Sequence, residues 1–170
     1  MKRKHCFYLL LALFLIGFSG CDKPEQTELN INDSQHHATI QGVLFYPPGS
    51  TATDLEERRP VPNHTVSVDV LYSYYSSTTP GLKRFTGTTD NQGNFSIKIP
   101  VKIASTVATL NVEPFQGKHF TFEYVWEGGI YVQKIIGKDV IYSSNGISVP
   151  IAASKLEHRN IVLTYTEIGL

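Results

Sequence analysis

The residues of this chain with the widest chemical repertoire are its histidines and cysteines, which bind metals and transfer protons. Of the six histidines, no two have the i, i+4 spacing that places a pair of zinc ligands on one face of a helix. Beyond residue 21 the chain has no cysteine, so thiolate ligands are also lacking. Strand pairing could bring His64 and His119 together, but nothing in the pattern requires it. The sequence therefore predicts neither a metal site nor a cofactor.

Nucleophiles and paired carboxylates also lack the arrangements that catalysis needs. No Gly-x-Ser-x-Gly elbow surrounds any serine, and the clustered ones lie in loop-like segments: Ser73, Ser76, Ser77, Ser143 and Ser144. Glu56 and Glu57 are adjacent in a self-neutralising stretch that ends at Arg59, which is typical of a solvated loop. No constellation meets the geometric needs of an active site. We therefore predict no catalytic residue, and an uncharacterised hydrolase is only the third hypothesis.

The sharpest local signal is the stretch from Asp90 to Gly93. Asp90 suits the first position of a type I turn, where its carboxylate accepts backbone N–H bonds. Gly93 suits the left-handed position that follows, where a Cβ would clash. The stretch is also rich in oxygen, but calcium takes about six to eight oxygen ligands, several of them carboxylates. With a single carboxylate present, the spacing predicts a structural, metal-free turn at Asp90 and Gly93.

Aromatic side chains are the one class whose abundance suggests a binding surface. By strand parity, Tyr74 and Trp126 fall on the inward face of their strands, where they fill a core, while Tyr131 could lie on either side. Tyr75 and Tyr142 adjoin Ser-rich stretches that have the character of loops. Tyrosines in such settings contact ligands at little cost in conformational entropy. We take Tyr75 and Tyr142 as the candidate ligand contacts, with burial in the core as the alternative.

The elements that must position these residues are β-strands. Period-two alternation of apolar and polar residues, the mark of a half-buried strand, recurs through the chain beyond the first 38 residues. In one segment Phe95, Ile97 and Ile99 share a face. In another, residues 119–126 place four aromatic side chains on a face that we expect to point inward. Many short strands separated by loops rich in Gly, Pro and Asn indicate an all-β fold, an antiparallel two-sheet β-sandwich of about 7–9 strands.

Three motifs, in chain order, resemble a known family. Thr39-Ile40-Gln41-Gly42-Val43 opens one strand, Pro60-Val61-Pro62-Asn63-His64 leads into the next, and Thr89-Asp90-Asn91-Gln92-Gly93-Asn94-Phe95 forms a hairpin. Together they resemble the carboxypeptidase-regulatory-like domains, although Asn63-His64 stands where that family has Gly-Ala. The resemblance covers about residues 39 to 100 and implies a prealbumin-like (Ig-like) β-sandwich. The longer C-terminal third predicts an added hairpin at about residues 127 to 147.

The N-terminus has the order of a secretory signal. Met1 to Lys4 is basic, Phe7 to Phe18 is apolar, and the small residues Ser19-Gly20 directly precede Cys21, as such signals require. A cysteine at that place resembles the lipobox of bacterial lipoproteins, and the resemblance implies that Cys21 is acylated. The apolar run is shorter than the roughly 20 residues that span a membrane. Secretion with Cys21 as a free thiol is the other alternative.

These signals predict three parts: a signal peptide over residues 1–20, the lipidated Cys21 with a flexible tether over residues 21–35, and a single β-sandwich domain over residues 36–170. The tether is polar and without periodicity, so it cannot bury enough surface to fold. The end-to-end distance of a flexible chain is about 5–6 Å times the square root of its number of residues, which gives on the order of 20 Å for this tether. The domain would therefore stand just clear of the lipid headgroups.

The net charge and the predicted cellular location limit the functions that this chain could have. The formal net charge is zero, and without its basic signal the chain is slightly acidic, so we expect no nucleic-acid partner. We expect the membrane as a partner through the lipid on Cys21. Resemblance to Bacteroidota lipoproteins implies the bacterial cell envelope and its outer membrane, whereas Asp22 would favour the inner membrane under enterobacterial sorting rules. The leading hypothesis is a non-enzymatic interaction or accessory module with a protein or glycan partner. The alternative is a glycan-binding surface lipoprotein of a polysaccharide-uptake system.

Overall fold

The computed structural model describes residues 36–75, 81–102 and 104–169, and this part of the chain is built almost entirely from β-strands. It contains one short 3-10 helix, Tyr72–Tyr74. Its eleven strands are β1 His37–Phe45, β2 Thr65–Leu71, β3 Leu82–Thr88, β4 Asn94–Pro100, β5 Thr106–Val112, β6 Phe115–Glu127, β7 Ile130–Ser143, β8 Ile147–Ile151, β9 Leu156–His158, β10 Ile161–Val162 and β11 Thr164–Glu167. The all-β prediction is confirmed. The described strands outnumber the predicted range because the C-terminal stretch breaks into the short strands β9, β10 and β11.

Two sheets face each other and form the sandwich. In the first, β1 pairs antiparallel with β4 along one edge and parallel with β9 and then β10 along the other. The second has the order β3-β2-β5-β8 and is antiparallel throughout. Side chains from both sheets belong to one buried cluster. The predicted sandwich is therefore confirmed. Its pairing is antiparallel except where the short strands β9 and β10 join β1, and a third sheet of order β11-β7-β6 is added to it.

The core follows the alternation of the strands. On β4, Phe95, Ile97 and Ile99 are buried, as their spacing predicts. The other strands of the two facing sheets contribute Ala38, Ile40, Leu44, Val66, Val68, Val70, Ala108, Leu110, Val112, Val149, Ile151 and Ile161. Because no cysteine follows residue 21, burial of these apolar side chains is the main stabilising contribution to the domain.

Strand β2 is buried on both faces, which its alternation does not predict. Ser67 and Asp69 alternate with the core valines, yet they are only 8% and 6% exposed. The guanidinium of Arg84 covers Asp69 and donates to both carboxylate oxygens, at 2.7 and 2.8 Å, and the Asn111 amide donates to the same carboxylate at 3.1 Å. These bonds, that of Arg84 first, hold the pKa of Asp69 below its ordinary value. They tie β2 to both of its neighbours.

The β6–β7 hairpin extends beyond the contacts that attach it to the sandwich. Its base is held by Val140 and Tyr142, which are buried, and by the backbone N–H of Phe120, which donates to the Gly49 carbonyl at 2.7 Å. From residue 121 to residue 136 no strand of the described residues pairs with the hairpin from outside, and both of its faces are exposed or half-buried. The hairpin expected at about residues 127 to 147 thus spans residues 115–143.

The N-terminal predictions concern residues outside those that the structure describes. The signal peptide, Cys21 and the tether all fall within residues 1–35, so the acylation of Cys21 stays a prediction. Within the described ranges, no helix has the length and apolar character needed to cross a membrane.

Candidate functional site

The Asp90 to Gly93 stretch forms a tight turn between β3 and β4. The Asp90 carboxylate accepts the backbone N–H groups of Gln92 and Asn94 at 2.8 and 2.9 Å. Gly93 has a φ of 75°, and a Cβ there would lie 2.7 Å from the Leu44 carbonyl oxygen. Hydrogen bonds from Asn94 are the main cause of a lowered Asp90 pKa. Among the described residues, no group of three or more His, Cys, Asp or Glu side chains is placed to hold a metal ion.

Thr89 joins this turn to the segment that precedes β2. Its side chain is 2% exposed, and its hydroxyl donates to the Val61 carbonyl and accepts the His64 N–H, both at 2.8 Å. Asn63 has a φ of 52°, a left-handed conformation that asparagine tolerates better than most residues other than glycine. Two of the motifs that resemble the family are therefore held together by one buried hydroxyl, and this contact is structural.

The tyrosines proposed as ligand contacts are not exposed. Tyr75 and Tyr142 are each 1% exposed, so the prediction that they present free rings is wrong. The Tyr75 hydroxyl donates to the Pro100 carbonyl at 2.9 Å and that of Tyr142 to the Lys118 carbonyl at 2.6 Å. Burial raises both pKa values, that of Tyr142 to about 12. The alternative that they fill the core is correct, because their strand and turn bring both rings against apolar neighbours.

The most exposed aromatic residues lie on the β6–β7 hairpin instead. Direct pairing across the strands joins Phe122 to Ile135 and Trp126 to Tyr131, with Tyr124 between them. Because directly opposed residues of an antiparallel pair project to the same side, all five side chains share one surface, here called the aromatic face. Their exposed fractions run from 43% for Ile135 to 70% for Tyr124. Trp126 and Tyr131 meet edge to face, with ring centroids 4.9 Å apart.

This placement corrects the predicted orientation of β6. Its aromatic residues do alternate, but Phe122, Tyr124 and Trp126 point to solvent and not to the core. The ring of Phe120 closes the base of the face by lying over Gly137, where a Cβ would be 2.6 Å from the ring. The signal that could have found this was length, because β6 and β7 have 13 and 14 residues and exceed the strands that a sandwich of this size can cover.

The opposite face of the hairpin carries the charges. Lys134 pairs with Glu127, and Lys138 pairs with Glu123 at 2.9 Å and with Glu167 of β11 at 3.3 Å. The two glutamates raise the pKa of Lys138, Glu123 through the larger effect. These ion pairs are exposed and contribute little to stability. As a result, the charged and the aromatic side chains lie on opposite faces of the hairpin. Between residues 121 and 136 the aromatic face carries no ionisable side chain except its two tyrosines.

Comparison with known proteins adds little to this geometry. No protein-family model matches the chain, and no curated protein matches it. A crystal structure from Pseudomonas aeruginosa, described as a "putative carbohydrate binding protein", is 12% identical and has a TM-score of 0.32, over 78% of this chain and 92% of that chain. A likeness of that size carries no argument about fold or ligand. The chain is thus defined by its own features, as an all-β sandwich with a protruding hairpin that is aromatic on one face.

Proposed function

We propose that this protein is a non-enzymatic, lipid-anchored binding module of the cell envelope that holds a neutral glycan chain on its aromatic face. The observation that carries the proposal is the exposed row of Phe122, Tyr124 and Trp126. It lies on the part of the hairpin, residues 121–136, with which no further strand of the described residues pairs. Clustered exposed apolar surface marks interaction sites, because covering it removes that surface from water.

The size of the aromatic face supports a ligand smaller than a folded protein. An aromatic side chain buries about 150–250 Å² when fully covered, and the four rings are 57% to 70% exposed. Together they expose on the order of 500 Å². Each partner in a standard protein–protein interface contributes about 800 Å². The ribbon is two strands, or about 10 Å, wide, which suits a single linear chain.

The chemistry of the face supports a neutral sugar polymer. Its rings offer flat apolar surfaces, on which the C–H faces of pyranose rings stack. The ring edges carry polar groups: the hydroxyls of Tyr124 and Tyr131 and the indole N–H of Trp126. A bound glycan would bury these groups, and its hydroxyls would supply the hydrogen-bond partners that buried Tyr and Trp polar groups require. None of these groups has a hydrogen-bond partner among the described residues. Without an ionic group nearby, the face offers nothing to a charged ligand.

The predicted location at the membrane surface agrees with such a role. A lipid on Cys21 and a tether over residues 21–35 would hold the domain near the membrane surface, where captured polymer stays available to the cell. Acylation with two or three chains would make the anchor effectively permanent. This part of the proposal depends on the N-terminal sequence alone.

The intrinsic fluorescence of Trp126 provides a direct test, since it is the only tryptophan in the chain. Full-length protein in detergent is titrated with a panel of neutral and charged linear polysaccharides. We expect at least one neutral glycan to shift the Trp126 emission to the blue with saturation, because stacking covers a ring that is 60% exposed. Charged analogues should bind more weakly.

Variants separate specific stacking from general stickiness. Tyr124→Ala should weaken glycan binding by about 1–2 kcal/mol, which is a roughly 5–30-fold loss of affinity measured by calorimetry. Ile130→Ala is the matched control, because Ile130 is 65% exposed at the same hairpin tip but pairs with Glu127 on the opposite face. Equal affinity in Tyr124→Ala and wild type, or equal losses in both variants, would contradict the proposal.

A protein-binding module is the second candidate, and the free edge of β6 favours it. The Phe120 N–H points away from β7 to Gly49, so alternation directs the backbone groups of Phe122, Tyr124 and Trp126 to the same open side. An extended segment of another protein could add there as a strand. If no glycan binds, but a partner protein purified from the same cell envelope binds wild type and not Tyr124→Ala, this second function replaces the first.

A further inference from the structure

A concave site lies at the base of the hairpin, apart from the residues of the aromatic face. It is a cavity of about 330 Å³ between β6 and the loop that follows β1. Such a volume falls at the lower end of the range for small-molecule sites. Its walls include Tyr46, Ser50, Thr51, Arg59, Lys118 and Tyr142. This site shares no residue with the aromatic face, so a proposal about it can be tested independently of the proposed function.

Two cations line this cavity, and one of them has no acidic partner. Lys118 pairs with Asp139 at 3.1 Å. Arg59 has no carboxylate within salt-bridge distance among the described residues. Its backbone carbonyl accepts the Tyr46 N–H at 2.8 Å, which fixes the residue at the rim. An unpaired guanidinium is a planar fork of donors that matches a carboxylate in bidentate geometry.

One unpartnered polar atom belongs to a residue that lines this cavity, and another belongs to a neighbour of its lining residues. The Ser50 hydroxyl oxygen is buried and has no hydrogen-bond partner in the described structure, and neither has Nδ1 of His119. His119 is 6% exposed, and its ring abuts Gly49, where a Cβ would lie 2.6 Å from it. Buried polar groups are nearly always hydrogen-bonded, and a polar ligand in the cavity would supply the partner that Ser50 lacks.

We propose that this cavity binds a small carboxylate that also carries hydroxyl groups, of the hexuronic acid class. Arg59 binds the carboxylate, and Lys118 adds positive charge beside it. Ser50 and Thr51 bond the ring hydroxyls, and Tyr46 provides an apolar wall. The volume is larger than an inorganic anion needs, and the hydroxyl-rich wall is unsuited to the alkyl chain of a fatty acid.

The test is calorimetric titration of the full-length protein in detergent with glucuronate. For a ligand of about a dozen non-hydrogen atoms we expect a Kd on the order of 1 mM. Glucose, the neutral analogue, should not bind detectably, and inorganic phosphate should bind at least about tenfold more weakly than glucuronate. A protein that binds phosphate as well as glucuronate would hold a general anion site, and the proposal would be overturned.

Two variants assign the binding to the cavity. Arg59→Gln should weaken glucuronate at least about tenfold, with an unchanged melting temperature, because the side chain is exposed. Arg58→Gln is the matched control, since Arg58 is an adjacent exposed arginine that does not line the cavity, and its affinity should equal that of wild type. Trp126→Ala should also leave glucuronate binding intact. Equal affinity in Arg59→Gln and wild type, or no binding of glucuronate to the wild type, would overturn the proposal.

Discussion

Replacing Tyr142 by alanine tests how the hairpin is attached to the sandwich. Tyr142 is 1% exposed, and its ring covers Gly117, where a Cβ would lie 2.6 Å from it. The ring meets those of Tyr46 and Phe115 at centroid distances of 5.1 and 5.6 Å. Its hydroxyl donates to the Lys118 carbonyl at 2.6 Å. One side chain therefore joins both hairpin strands to the body of the domain.

The structure sets the expected magnitude. Truncation of a buried aromatic side chain to alanine costs about 3–5 kcal/mol. Because Gly117 has no side chain that could fill the space, we expect Tyr142→Ala to lie in the upper half of that range. For a domain of this size about 1 kcal/mol corresponds to about 4 °C, so the melting temperature should fall by about 15–20 °C. Tyr142→Phe keeps the ring and loses one hydrogen bond, which costs about 0.5–1.5 kcal/mol.

Thermal unfolding followed by circular dichroism measures both losses. Tyr131→Ala is the matched control, because Tyr131 lies on the same strand and is 69% exposed. Truncation at an exposed position changes stability by about 0.5 kcal/mol or less, so its melting temperature should stay within about 2 °C of wild type. If Tyr142→Ala melted as close to wild type as Tyr131→Ala does, the hairpin base would not be part of the core, and the reasoning would be refuted.

Three other changes test separate parts of the molecule. Gly93→Ala should cost about 1–3 kcal/mol in urea unfolding, because its φ is 75° and a Cβ would meet the Leu44 carbonyl at 2.7 Å. The loss should be the same in EDTA and in calcium, and a calcium-dependent gain in stability that Asp90→Ala removes would contradict a metal-free turn. Burial raises the pKa of Tyr142 to about 12, above its unfolded value of about 10. Its contribution to stability is therefore complete below about pH 10 and lost as the pH rises towards 12; alkaline unfolding curves for Tyr142→Phe should lack this part of the decline. Cys21→Ala should leave an unprocessed precursor or a soluble product, and a mature-sized variant that still partitions into detergent would exclude acylation at Cys21.

Local sequence patterns correctly predicted which side chains are buried on strands whose apolar face is covered by a second sheet. On β4 the alternation of Phe95, Ile97 and Ile99 placed the three side chains in the core, because a second sheet covers that face. On β6 the same rule correctly grouped Phe122 with Trp126 but assigned their shared face to the interior. Alternation states which side chains project to the same side of a strand. It does not state whether another layer covers that side, which depends on how far the strand extends past the sandwich.

By itself the sequence determined the properties that depend on neighbouring residues: the all-β class, the alternation within strands, and the turn-forming residues Asp90 and Gly93. An export signal and the acylation of Cys21 stay predictions from the sequence. The tertiary structure alone decided burial. It placed Tyr75 and Tyr142 in the core, although both adjoin loop-like stretches, and it left Trp126 in solvent. The physical reason is that burial depends on contacts between residues far apart in the chain, as when Tyr142 rests on Gly117. No local spacing specifies such contacts, so the location of the exposed aromatic face follows from the fold.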